Sequence, residues 1–131
     1  MPHKSQKHPV VLACAGCSSA GRLAYDLALE LDRRGHAEMS CLAGVGAKRK
    51  VFLRKLEDRP IWIIDGCPIE CSRGVMEQVD READVHIKLH DYGVAKKAAP
   101  AAGVSMNALV VRVLTEARHA QCIKPTDPVG T

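Results

Sequence analysis

The run Val10-Val11-Leu12-Ala13, with the turn formers Gly16, Ser18, Ser19 and Gly21 behind it and then Leu23, Leu27 and Leu31, sets the architecture. Four apolar residues bounded by turn formers suit a buried strand. Leucines at i, i+4 and i+8 lay an apolar stripe along a helix, which Gly35 ends. Strand, turn and helix in that order recur along the chain. Ala37 to Leu42 reads as a second strand, followed by the glycine-rich Ala43-Gly44-Val45-Gly46 and a helical pattern through Val51, Phe52 and Leu56 that must stop before Pro60. Ile61-Trp62-Ile63-Ile64 is the strongest strand of all. Asp65-Gly66 breaks it, Pro68 suits the first turn of a third helix, and Val75, Met76 and Val79 give that helix its apolar face. Val85, Ile87 and Leu89 alternate as a fourth strand. A last helix starts at Ser105 as N-cap, with Val104 and Leu109 placed for a hydrophobic staple, and ends near His119.

Short strands alternating with helices specify a parallel sheet, because a crossover helix is what joins parallel neighbours. The expected fold is therefore a small three-layer, Rossmann-like α/β fold with a mostly parallel four-stranded sheet flanked by helices. Its 131 residues suit one domain, set at 10–122, between a flexible start at 1–9 and a flexible tail at 123–131.

Composition excludes several functions. No apolar run approaches the roughly 20 residues of a membrane span, and the start lacks a secretory core, so a cytoplasmic protein without a membrane partner is expected. Nineteen Lys and Arg against 15 Asp and Glu leave a net charge of +4, much of it in Lys48, Arg49, Lys50, Arg54 and Lys55. That run reads as the solvated face of the second helix. With aromatics at 3% there is no stacking platform, which argues against nucleic acid.

Six cysteines in a chain able to build its own core point to metal binding or thiol chemistry. Cys14 follows the first strand, Cys41 closes the second and Cys67 follows the third. In a parallel sheet all three therefore reach the carboxyl edge, where open α/β sheets bind ligands. Cys71 stands i+4 from Cys67, near the expected start of a helix whose N–H groups favour thiolate. Cys17 stands before the first helix with the same advantage. Five thiols thus compete for the four places of a zinc site, with zinc as cofactor and metal ion as partner. Cys122 reads as a small apolar side chain. His90 and Asp91 end the fourth strand, where His90 could serve as a further donor or outer partner. His3, His8, His36, His86 and His119 are given no role.

Other motifs fit less well. Cys14-Ala15-Gly16-Cys17 between strand and helix has the form of a dithiol redox pair, so a thiol-disulfide or sulfur-transfer protein, with or without an iron–sulfur cluster, is the alternative. The loop from Gly16 to Gly21 lacks the Lys-Ser/Thr of a phosphate-binding loop. Cys17 and Arg22 are one residue too close for a cysteine phosphatase, and Ala43 to Gly46 lacks the later glycine of a dinucleotide fingerprint.

Three segments together resemble the DGC-domain family, small proteins described as zinc-binding. They are Cys14-Ala15-Gly16-Cys17-Ser18 through Gly21-Arg22-Leu23, Cys41-Leu42-Ala43-Gly44-Val45-Gly46-Ala47, and Asp65-Gly66-Cys67-Pro68-Ile69-Glu70-Cys71. The resemblance spans roughly residues 10–97. It implies that Cys14, Cys41, Cys67 and Cys71 are the metal ligands, leaving Cys17 as an additional ligand or a reactive thiol. It attaches no reaction to the chain. Asp65 and Gly66 would then shape the turn that aims Cys67, the carboxylate by capping backbone N–H groups and the glycine by an unusual backbone angle.

Overall fold

A computed structural model describes residues 7–92 and 105–122. The elements run β1 (Val10–Ala13), α1 (Ser19–Arg33), β2 (Glu38–Met39), α2 (Leu42–Gly46), α3 (Lys50–Lys55), β3 (Ile61–Asp65), α4 (Cys71–Gln78), β4 (Val85–Lys88) and α5 (Met106–Cys122). The four strands pair in the order β2-β1-β3-β4, every pair parallel. The expected mostly parallel sheet is thus wholly parallel among the described residues.

Strand order explains the layers. From β1 the chain steps outward to β2, then back across β1 to β3 and on to β4, so its direction reverses between β1 and β3. Strand side chains alternate between faces. Val11, Ala13, Trp62, Ile64, Val85 and Ile87 therefore pack with α1 and α5, through Leu27, Leu31, Val110 and Val113. Val10, Leu12, Ile61 and Ile63 pack instead against Val45, Leu56 and Met76. β1 and β3 are buried along their whole length, which is why both read as continuous apolar runs rather than alternating ones.

Caps settle where the helices begin. Ser18 accepts the Gly21 N–H at 2.9 Å and opens α1, a cap worth about 1 kcal/mol. Past α1, Gly35 takes φ +79°, a left-handed conformation suited to glycine. Ser105 accepts the Ala108 N–H at 3.0 Å and opens α5, which runs to Cys122 rather than ending near His119. Beyond the carboxyl end of β4, the Arg112 guanidinium of α5 sits 4.6 Å from the centroid of the Tyr92 ring.

Several expected boundaries move. The second strand shrinks to Glu38–Met39 because the Cys41 sulfur accepts the Gly44 N–H at 3.2 Å and starts α2, so the glycine-rich stretch Ala43 to Gly46 is a short helix of its own. The third helix starts at Cys71, not at Pro68. Pro68 lies in a turn closed by Glu70 N–H on the Cys67 carbonyl at 3.2 Å, and Glu70 is left-handed at φ 57°. The fourth strand stops at Lys88, with Leu89 to Tyr92 forming a 3₁₀ turn that takes in His90 and Asp91. Val104 of the expected staple, residues 1–6 of the expected flexible start and the expected tail, 123–131, lie outside the described residues. Among the described residues no helix is long and apolar enough to cross a membrane.

Candidate functional site

Three neighbouring strands of the four bring cysteines to the carboxyl edge of the sheet. Cys14 follows the last residue of β1, and its N–H donates to the Ile64 carbonyl of β3 at 3.1 Å, so it extends the β1–β3 ladder. Cys41 stands two residues beyond β2 and caps α2. Cys67 stands two residues beyond β3, and Cys71 opens α4. β2, β1 and β3 are adjacent in that order, so the reversal point between β1 and β3 lies at Cys14 and Cys67. The carboxyl ends at such a reversal are where doubly wound sheets take their ligands.

The five cysteines whose side chains are described differ in access. Cys14 is buried, Cys67 half-buried, and Cys17, Cys41 and Cys71 are exposed; none is in a disulfide. Cys17 borders an open cleft with Ala15, Gly16, Ser18, Arg22 and Tyr25. Cys122 is the last residue of α5, away from these five in sequence.

Asp65 and Gly66 act on the backbone between the cysteines. The Asp65 carboxylate, buried at the end of β3, accepts the Ser72 N–H at 2.7 Å and the Arg73 N–H at 3.3 Å, so it ties the first turn of α4 to the sheet. His86 of β4 meets the same carboxylate at 2.8 Å. Burial pushes the Asp65 carboxyl up, but the hydrogen bonds from His86 and Ser72 outweigh it and hold the group below the usual carboxylate range. Gly66 does not supply the expected unusual angle: among the described residues only Gly35 is a glycine with positive φ. A Cβ at residue 66 would instead run into the Ala20 carbonyl in the first turn of α1. The loop carrying Cys67 is thereby pressed against the start of α1, beside the turn that carries Cys17.

His90 sits in the turn after β4, its Nε2 at 3.5 Å from Asp91, while its Nδ1 is buried with no hydrogen-bond partner among the described residues. His86 is the residue that sequence reasoning passed over. The alternation of Val85 and Ile87 already placed it on the opposite face of β4, the face of Ile63 and Asp65, and that was the available signal.

The donor chemistry of this edge fits a soft, tetrahedral ion: thiols on adjacent strand ends, two of them at helix starts. Among the described residues no three His, Cys, Asp or Glu side chains stand close enough to share one ion, so the fit is one of donor type and placement on the edge.

Comparison with known proteins gives two findings. The model of the DGC domain matches residues 10–115. The chain is also similar to the anaerobic and virulence modulator AnvM of Pseudomonas aeruginosa, at 43% identity over 90 residues, which is 68% of this chain and 69% of that relative. No solved structure matches it.

Proposed function

The chain belongs to the DGC-domain family, and on that premise we propose that it is a zinc-binding protein whose ion is held by Cys14, Cys41, Cys67 and Cys71. One observation carries the reading: three adjacent parallel strands each deliver a cysteine to the same edge within two residues of their ends. Scattered core cysteines seldom fall so. Four thiolates complete a tetrahedral zinc shell and leave no open position, which suits a structural, carrier or regulatory role better than turnover. The relative's name, a modulator, agrees with that role.

Within the proposed site each residue has a task. Cys14 supplies the buried ligand at the centre of the edge, and Cys41 the ligand at the start of α2. Asp65 and Gly66 fix the path of the loop between β3 and α4, hence the spacing of Cys67 and Cys71. Bound zinc would hold the ends of β1, β2 and β3 together.

A second reading is favoured by the contrast between buried Cys14 and exposed Cys17. In it the pair exchanges with a partner disulfide, as a thiol redox or sulfur-transfer protein does, or the cysteines ligate an iron–sulfur cluster. Elemental analysis of protein purified without a polyhistidine tag, with thiols counted before and after acid release, separates the two. About one zinc per chain with four thiols masked until release is expected. Metal-free protein with a reducible Cys14–Cys17 disulfide would overturn the zinc reading, and iron with labile sulfide would replace zinc by a cluster.

A further inference from the structure

α4 begins without an ordinary cap. Its N-cap position is Glu70, which is left-handed at φ 57° and ψ 55° and whose side chain makes no capping hydrogen bond. The N–H groups of the first turn are satisfied instead by a carboxylate from the end of β3. Asp65 Oδ1 accepts from Ser72 at 2.7 Å and Oδ2 from Arg73 at 3.3 Å, while the buried Ser72 hydroxyl donates to the Ile64 carbonyl at 3.2 Å. Residues 66–70 are a loop clamped by this stitch, with Cys67 on it and Cys71 at the first position of α4.

The stitch depends on the orientation of one carboxylate, and His86 supplies that. Its Nε2 lies 2.8 Å from Asp65 Oδ2, the oxygen that also takes the Arg73 N–H. Both carboxylate oxygens already accept backbone N–H groups, so the place beside Oδ2 suits a donor, which His86 offers through Nε2. Asp65 has no exposed surface, so water cannot readily stand in for that donor. The imidazole is about one-fifth exposed and lines a cleft with Arg73, Met76 and Arg81, in which none of the cysteines takes part.

We infer that His86 is a positioning residue for the cysteine pair Cys67 and Cys71, acting through Asp65 and the first turn of α4. The inference rests on the metal-binding reading for its purpose, but not for its geometry. Donors that orient the residues around a metal shell are commonly worth 10–100-fold in metal affinity. Here the chain of contacts runs from β4 through Asp65 to the backbone of α4.

The test compares His86→Ala with His86→Gln, whose side-chain amide can place an N–H where Nε2 stood. Three quantities are read on the full chain: hydrogen exchange at the Ser72 and Arg73 amides, alkylation of Cys71 relative to Cys41, and Co²⁺ affinity from the thiolate-to-cobalt absorption band. In His86→Ala, exchange at both amides and the alkylation ratio should each rise by about tenfold, from local opening of the first turn, and Co²⁺ should bind 10–100-fold more weakly. His86→Gln should recover most of each change. Exchange and alkylation within twofold of wild type in His86→Ala would overturn the inference. So would equal losses in both variants, which would mark a packing role rather than a hydrogen bond. If the wild-type chain takes up no Co²⁺ and no Zn²⁺, the metal reading fails on its own, and exchange and alkylation still decide the role of His86.

Discussion

A methyl group at residue 66 would meet the carbonyl and backbone of Ala20, a contact relieved only by moving the loop or the first turn of α1. At residue 74, inside α4, the same methyl would meet nothing within 4 Å. The two glycines therefore predict opposite outcomes. Gly66→Ala should destabilise the fold by about 2–3 kcal/mol through overpacking against backbone, whereas Gly74→Ala should stabilise it by roughly 0.5–1 kcal/mol by removing unfolded-chain entropy from a helix interior. Urea unfolding midpoints of the two variants check both signs, and a neutral Gly66→Ala would show that the two loops are not in contact. The sequence marked Gly66 as special but suggested the wrong cause. An unusual backbone angle is a local reason, while the actual one is a contact across 46 positions, between residues 20 and 66, that no local pattern reports. His86 escaped for the same reason, since its partner stands on a neighbouring strand.

Elements with a full apolar period were legible, and elements decided by one cap were not. α1 carries Leu27 and Leu31 on its buried face, and β3 is buried throughout, so both stood out in the sequence. β2, α2 and the start of α4 are set by the Cys41 sulfur and by a left-handed Glu70, neither of which has a periodicity. β2 is two residues long and is held from outside. Glu38 bridges Arg59 at 2.9 Å and Lys55 at 3.2 Å, tying the edge strand to the end of α3 and to the approach to β3. The hydrogen bonds from Arg59 and Lys55 pull the Glu38 carboxyl below its ordinary 4.5 against the opposing effect of burial. A carboxyl lowered in the folded state adds stability that is fully present above its unfolded pKa and is lost as pH falls through the folded value. The stability gap between wild type and Glu38→Gln should thus be constant from pH 7 to about 5.5 and close progressively below about 4.5. Urea midpoints of both proteins across that range measure it; a gap unchanged at pH 3 would remove Glu38 as the anchor of β2. The gap should also shrink in high salt, because both partners are partly exposed.

At the scale of the molecule, parallel topology did most of the work of placing the candidate residues: once the strands were read, their carboxyl ends had to share an edge, and three cysteines fell on it. Which thiols approach one another is a matter of side-chain placement, and sequence order does not contain it. The proposed ion would join the ends of β1, β2 and β3, so binding should stabilise the whole sheet rather than one loop. Binding to the folded state alone adds RT ln(1 + [L]/Kd), about 2.7 kcal/mol at a free zinc concentration 100 times Kd, or roughly 10 °C in Tm for a domain of this size. Trp62 is the chain's single tryptophan, buried on β3 against α1 and α5, and so reports this unfolding from the face opposite α4. Its fluorescence melt should move up by that amount with zinc, return on chelation, and move far less in Cys67→Ser or Cys41→Ser. Cys17→Ser should keep the shift if Cys17 lies outside the shell. If the dithiol reading holds instead, zinc should leave the melt nearly in place, oxidation and reduction should move it, and Cys17→Ser alone should abolish that response.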